Sequence, residues 1–504
     1  MSHIVKFSLL YLPENSQKNI NLLMLAFAIA FSLIPMIMRN IIPHDMIENL
    51  YWGKEFQLGY AKHPPLFAWI SYAFYKMCFS IPESLYILTQ LNLLVGLYFI
   101  YKISEIIFSE QTKRWASVLI FMCSVCAVFG NEKFNASTIL MSLFPAMFYY
   151  FTRMMKYKKT GDAIILGIVA ALAFIGKYFA LLYIGCAGFF VLWNDDARKL
   201  LETRLPYVAV VTFLIGISWN LHWLYQNDFV TVKYALEKSI KAKKSYASSI
   251  NFLAMQFIFF STSFWAFAYA YEGKMKFLPQ KIEEYSCEEK FIMFMTIAPN
   301  VLMFLASLLF GMRIGSFWGT NMLMTVGIYL LLINKEKLDL QKLFIFTKRI
   351  LVFFGIVLFL KLGVARLFLR EYDPRNALNI RKIAHCIEND WHGKFGNQKI
   401  RYIKTDKATT ALHTYLKDDP SFYDVVHNDI FHVFERYPLG KNVVVAFLAN
   451  KNNGEVEKFR KIYDGCILFE NSLPLVGDYI VYYAFIRDQR DGGSDDNKTP
   501  QNYY

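Results

Sequence analysis

The chain has 504 residues, of which 55% are hydrophobic, 17% aromatic and only 19% charged, with a mean hydropathy of +0.29. That balance excludes an ordinary soluble domain, in which about a quarter of residues are charged. Seven scattered cysteines exclude a disulfide framework, and the net charge of +14 need not mean nucleic acid, because the basic residues gather in short loops between apolar runs.

In chain order, Asn21 to Met38 is the first run long enough to cross a bilayer as helix. It is too long for a signal-peptide core and no A-x-A-like site follows, so it reads as an uncleaved first helix. Residues 39–80 then form a long external loop. Within it Asp45 to Gln57 places Met46, Ile47, Leu50 and Tyr51 on one helical face, and Asp45, Glu48, Trp52 and Glu55 on the other. That pattern predicts an amphipathic helix lying on the membrane surface. Pro64-Pro65 breaks the chain, and Leu66 to Phe79 is predicted as a second helix on or in the interface.

By apolar length the chain should cross the membrane about eleven times, at 21–38, 84–107, 115–130, 138–152, 162–176, 178–193, 205–224, 251–272, 290–311, 316–333 and 347–364. The Cys123-x-x-Cys126 pair lies inside one such run and reads as core packing. The basic loops Thr112 to Arg114, Arg153 to Lys159, Lys274 to Lys290 and Lys335 to Arg349 share one side if the N-terminus is cytoplasmic. The tail then falls outside. Val232 to Ser249 disobeys, with Lys233, Lys238, Lys241, Lys243 and Lys244 on the external side. That cluster reads as a miscounted helix or as a contact for an anionic ligand or lipid headgroup.

After Arg366 the pattern shifts. A helix is expected over 375–389 and strands over Lys399 to Ile403, Val443 to Leu448 and Tyr479 to Ile486, as in a small α/β domain. The predicted organisation is a transmembrane catalytic domain over 1–364, an α/β domain over 365–487 and a disordered polar tail over 488–504. Whether Cys386 and Cys466 pair is left open.

The most informative string is HDMIENLYWGKEFQLGYAKHPPLFAW, His44 to Trp69. Its acidic pair Asp45 and Glu48, Trp52 with Glu55, Gly59-Tyr60 and the Lys62 to Leu66 run K-H-P-P-L resemble the external loop of bacterial GT-C glycosyltransferases of the dolichyl-phosphate-mannose and aminoarabinose transferase type. Weaker echoes follow in GNEKFN (130–135), GKYFALL (176–182) and GMRIGSFWG (311–319), so the resemblance covers residues 20 to 335. Where many relatives have Asn-Asp, this chain has Asn131-Glu132, which leaves the role of Glu132 open.

The resemblance implies a polytopic helical protein of the bacterial inner membrane with its active site and tail domain periplasmic. It implies transfer of a sugar from a polyprenyl-phosphate (undecaprenyl-phosphate) donor to lipid A, lipopolysaccharide or another lipid or glycan acceptor. The partners are then donor, acceptor and membrane lipids, with no nucleic acid. The residue types suit that chemistry. An attacking hydroxyl must lose its proton, so a placed carboxylate is a reasonable base, and a lipid-phosphate leaving group wants cations nearby. A single displacement inverts the anomeric centre. Asp45 is the expected base, with Glu48 as helper or, with Asp45, as ligand to a divalent cation such as Mg²⁺ or Mn²⁺; metal dependence stays open. Lys62, His63, Lys177 and Arg313 are the expected phosphate-binding cations. Trp52, Glu55, Tyr60, Glu132, Tyr178 and Trp318 are the expected substrate-lining residues.

Plainer readings stand beside these. Asp45-x-x-Glu48 after Pro43 also looks like a capping-box helix start. Pro64-Pro65 shapes a loop without acid–base work. Lys177 and Arg313 also read as snorkelling helix-end cations, Glu132 as a solvated loop acid and Trp318 as a belt aromatic. A transporter or flippase of lipid-linked saccharides is the competing class. It would favour internal repeats and midplane charges, and the sequence has no repeat. No Walker loop, HExxH or GxSxG occurs.

Overall fold

A computed structural model describes residues 16–240, 246–367, 378–422 and 442–487. Lys241, Lys243 and Lys244 of the basic cluster, and the tail 488–504, lie outside the described residues.

The helices follow the apolar runs. In chain order they are α1 (Ser16–Met38), α2 (His44–Glu55), α3 (Leu66–Met77), α4 (Leu85–Ile107), α5 (Gln111–Met122), the single turn α6 (Val125–Val128), α7 (Leu140–Tyr157), α8 (Thr160–Gly176), α9 (Ala180–Trp193), the single turn α10 (Asp195–Arg198), α11 (Leu205–Gln226), α12 (Val230–Ile240), α13 (Tyr246–Ala270), α14 (Cys287–Phe310), α15 (Val326–Ile333) and α16 (Leu340–Leu367). Six helical stretches among the described residues are long and apolar enough to cross a membrane: Gln17–Met38, Pro82–Ile107, Leu205–Gln226, Tyr246–Ala270, Cys287–Phe310 and Leu340–Leu367. Thr160–Gly176 and Ala180–Trp193 are shorter apolar helices. The chain is therefore a polytopic helical membrane protein.

Two expected spans are not continuous. The 115–130 run breaks where the Ser124 hydroxyl accepts from Ala127 N at 3.1 Å and caps α6. A cap side chain that satisfies a backbone N–H also starts a new helix. The 316–333 run breaks more deeply. Gly311, in the left-handed conformation at φ 65°, ends α14. Residues Ser316–Leu323 then form a 3-10 segment before α15. Non-helical backbone at such depth is tolerated only where protein or a cavity lines it.

The remainder continues through α17 (Ile380–Phe395), β1 (Tyr402–Thr405), the short α18 (Leu412–Tyr415), β2 (Ser421–Phe422), β3 (Asn442–Asn450), α19 (Glu455–Ile462), β4 (Ile467–Pro474) and β5 (Tyr479–Arg487). The sheet order is β2-β1-β3-β5-β4, with β1 parallel to β2 and β3 and the other pairs antiparallel. Alternate residues Val443, Val445, Phe447 and Ala449 pack with Tyr482, Ala484, Ile486 and Phe459 of α19. On the opposite face Trp391 of α17 meets Phe485, ring centroids 5.1 Å apart. Burial on both faces is why β3 and β5 read as near-continuous apolar runs. Cys386, on α17, and Cys466, in the α19-side cluster, are both free thiols.

The chain divides into two compact units that interleave in sequence. Among the described residues, one comprises 16–34, 62–67, 86–240 and 246–358; the other comprises 35–61, 68–85, 359–367, 378–422 and 442–487. The second unit thus holds α2, most of α3 and the sheet together. That corrects the picture of α2 as a helix resting on a membrane surface. Met46 through Gly53 are buried without interruption, Glu48 among them at 8% exposure. Gly53 lets α3 approach so closely that a Cβ there would lie 2.3 Å from the Ala68 carbonyl oxygen. Another part of α2 is covered from far along the chain: the Tyr51 ring meets His413 at 5.8 Å and Phe422 at 5.2 Å.

Candidate active site

α2 begins at His44, with Pro43 as its N-cap and no side-chain capping bond. Asp45 therefore sits inside the first turn, and the capping-box reading of Asp45 and Glu48 does not hold. A carboxylate in that turn is favoured by the N–H groups and dipole of the helix end. Asp45 is half-buried. One turn on, Glu48 is buried and lies 3.5 Å from His44 Nε2. Burial, then the Glu48 carboxylate, push the Tyr51 phenol well above its usual range. Proximity of Tyr51 to Glu48 gives the latter a protic neighbour as well as a basic one.

Trp52 and Tyr60 stack at 5.3 Å with an interplanar angle of 14°, and the Tyr60 hydroxyl donates to the Trp52 carbonyl. They are 1% and 0% exposed, so they close the loop upon itself and neither ring offers a face to a ligand. Glu55, at the last position of α2, is exposed.

The same unit fastens α2 and α3 to its C-terminal elements by charge. Asp419 holds Lys54 at 3.1 Å and Lys76 at 3.1 Å, the last basic residues of α2 and α3. Lys54 also donates to the Asp419 carbonyl. Burial alone would raise the Asp419 carboxyl, but the two lysines outweigh it and hold it below the usual range. Glu83 is paired with Arg381 at 2.6 Å and accepts from the Tyr415 hydroxyl at 2.8 Å. None of these partners was singled out from sequence, because each pair joins residues more than 290 positions apart.

The other predicted cations lie in the other unit. Leu66, at the end of the K-H-P-P-L string, and Tyr178 pack against one cluster of Ala171, Phe174, Ile175 and Ile217. The string and the Lys177-Tyr178 pair are thus brought together. Lys62 and His63 are half-buried, His63 edge-on to Phe67 at 5.7 Å. Lys177 is the C-cap of α8. Its ammonium donates to Ser137 Oγ at 2.6 Å and sits 5.0 Å over the Trp318 ring and 5.7 Å over Phe179. The two rings and the Ser137 hydroxyl offset part of the cost of holding a cation at an apolar helix end, where an ionisable group is a functional-site candidate. Tyr178 donates to the buried Asn220 at 2.9 Å.

Asn321 Nδ2 donates to the Ser137 carbonyl at 2.6 Å, so the 3-10 segment steadies Lys177's partner from behind. Ser137 and Asn321 escape a sequence reading, since nothing local links residue 137 to 177 or 321. Glu132 is half-buried on the same loop as Ser137, a loop closed by Asn135, whose carboxamide oxygen accepts from Ser137 N and Thr138 N. Arg313 is exposed and makes no contact with the Lys177 cluster among the described residues. No three His, Cys, Asp or Glu side chains gather as a metal-ligand set among the described residues.

Residues 62–223 match the model of the dolichyl-phosphate-mannose-protein mannosyltransferase family. The fold superposes on ArnT from Cupriavidus metallidurans bound to undecaprenyl phosphate with a TM-score of 0.62, covering 92% of this chain and 97% of that one. The chain has the fold of ArnT, and residues 62–223 carry the sequence pattern of that mannosyltransferase family. Identity to ArnT is only 10%, and the apo form of the same enzyme gives a TM-score of 0.63 over 93% and 98% of the two chains. The likeness to ArnT therefore speaks to architecture. In sequence, the chain is 22% identical over 217 residues to the lipid A galacturonosyltransferase RgtD of Rhizobium johnstonii, an alignment covering 42% of this chain and 45% of that relative. The matched stretch thus spans under half the length of that relative.

Proposed function

We propose that this chain is an inverting glycosyltransferase of the bacterial inner membrane. It moves a sugar from a polyprenyl-phosphate donor to lipid A, lipopolysaccharide or another envelope acceptor at the periplasmic face. The observation that carries the reading is Lys177, a cation pinned by Ser137 over Trp318 at the end of an apolar helix, in a fold shared with an ArnT solved with undecaprenyl phosphate.

In this reaction the acceptor oxygen forms a bond to the anomeric carbon as the bond from that carbon to the phosphate oxygen breaks. The acceptor proton must pass to a base, the role proposed for Asp45, and the polyprenyl phosphate must leave toward cations, the role proposed for Lys177, Lys62 and His63. Glu48, buried beside His44 and Tyr51, keeps the first turns of α2 polar and ordered around the base. Base catalysis of this kind contributes about 10²–10⁴ in rate.

Purified protein given polyprenyl-phosphate sugar and lipid A should transfer sugar, and Asp45→Asn should insert normally while losing about 10² or more of the rate. Full activity in that variant removes Asp45 as the base. Vesicles in which the wild type translocates lipid-linked saccharide without transfer would replace the enzyme reading with a transporter. A chelator separates two roles for the acidic pair. A rate that survives leaves Asp45 as base, whereas a rate lost and restored by Mg²⁺ or Mn²⁺ makes Asp45 and Glu48 cation ligands.

A further inference from the structure

The 3-10 segment Ser316–Leu323 interrupts two apolar helices, and its two neighbouring residues Trp318 and Gly319 face different chemistry. Trp318 carries Lys177 on its ring. Gly319 faces two carboxamides. A Cβ at Gly319 would fall 2.6 Å from Gln256 Oε1 and 2.8 Å from Asn300 Oδ1. The glycine thus leaves room in which two polar side chains from α13 and α14, both membrane-spanning helices, converge.

These carboxamides are not accounted for by the fold. Gln256 is 5% exposed. Its Nε2 is used, donating to Ser316 O at 2.8 Å and Phe252 O at 3.2 Å, which fixes the direction of its oxygen. Gln256 Oε1 and both polar atoms of Asn300 are buried and have no hydrogen-bond partner. A buried polar atom left unpaired within hydrocarbon has no water to turn to, so such atoms call for an occupant. Either orientation of the Asn300 amide presents one donor and one acceptor.

That pairing suits hydroxyl groups, which donate and accept at once. It suits phosphate poorly, since a neutral carboxamide offers no charge to an anion whose cation stands at Lys177. Resting on the functional reading above, we propose that Gln256 and Asn300 form a hydroxyl-binding subsite that seats the sugar of the lipid-phosphate-linked donor, adjacent along the 3-10 segment to the Trp318 ring beneath Lys177. Phosphate and sugar are then held by neighbouring residues of one segment, which fixes the anomeric bond between them.

The test uses full-length protein in nanodiscs and two ligands, polyprenyl phosphate bearing a sugar and the same lipid phosphate without one. Asn300→Leu should weaken the sugar-bearing lipid about tenfold, the scale of one or two lost hydrogen bonds, and leave the bare lipid phosphate unchanged. Asn300→Ala should repeat that selectivity, which guards against a folding artefact of the larger side chain. Lys177→Met should weaken both ligands. The proposal is overturned if Asn300→Leu binds both ligands like wild type while melting at higher temperature, because the carboxamide is then only a tolerated buried polar group. It is also overturned if the variant raises the acceptor KM and leaves donor affinity intact, since the hydroxyls would then belong to the acceptor. Wild-type protein that binds neither lipid sinks the functional reading itself; wild type binding both, with no discrimination by the variants, sinks this subsite alone.

Discussion

Lowering the pH from 7 to about 5 should loosen the unit that carries α2, and His413 sets how much. Its ring is 3% exposed, packed against Tyr51 and Phe422. Burial, then the Lys54 ammonium, push it down to about 3; the Thr410 carbonyl and Asp419 oppose that only in part. The histidine is therefore neutral when folded but takes up a proton below about 6.5 when unfolded. Its contribution to stability is complete above that value and is lost as pH falls from 6.5 toward 3. At one pKa unit per 1.36 kcal/mol, a pH of about 5 removes roughly 2 kcal/mol. Asp419, held low by its lysines, adds no loss until the pH nears the ordinary aspartate range and below. Hydrogen exchange of the Met46–Trp52 amides, corrected for intrinsic rates, should show opening about 30-fold more frequent at the lower pH. His413→Phe keeps a ring against Tyr51 and should flatten that dependence. If both proteins show the same pH slope, or His413 titrates near 6.5 in the folded protein, the reasoning fails.

Three further outcomes follow from the same contacts. Gly53→Ala drives a methyl into the Ala68 carbonyl at 2.3 Å and Tyr72 Cβ at 2.4 Å, so α2 and α3 must separate; a stability loss of about 1–3 kcal/mol is expected, and an unchanged melting temperature contradicts it. Asp419→Asn releases Lys54 and Lys76. Because the Asp419 side chain is 38% exposed, the cost should be only about 1 kcal/mol, and the gap to wild type should shrink in high salt; a salt-independent gap rules out the ionic account. Asp45→Asn should lower kcat with the donor KM little changed, measured by single-turnover transfer, and a pure KM effect would reassign Asp45 to binding.

Much of the helical pattern was open to reading because a bilayer demands long apolar runs. α2 was found instead by its two-faced helical period, and α3 by the break at Pro64-Pro65 that precedes it. What escaped depended on distance along the chain. Part of α2's environment comes from residues 413–422, so its sequence shows an amphipathic helix while its surroundings bury both faces. The break at Ser316–Leu323 hid inside an apolar run whose Gly315, Gly319 and Asn321 are individually unremarkable for a membrane helix. Gln256 and Asn300 were not singled out from sequence, since only the fold brings both side chains to Gly319. In the C-terminal unit β3 and β5 stood out because both faces are covered, and β4 did not. It is an edge strand whose Glu470, Asn471 and Ser472 are exposed, so its composition resembles a loop. Of the proposed site, the K-H-P-P-L string and Lys177 were visible as residue types, but the partners that aim Lys177, Ser137 and Asn321, were not.

The interleaving of the two units has a consequence for biogenesis. Residues 35–61 and 68–85 leave the ribosome early, yet the side chains that shield Tyr51 and neutralise Lys54 and Lys76 are made more than 300 residues later. During synthesis the acidic helix must wait, uncovered, until the far end of the chain emerges. A nascent chain stalled before Asp419 should therefore remain protease-sensitive around α2 even after its early spans have inserted.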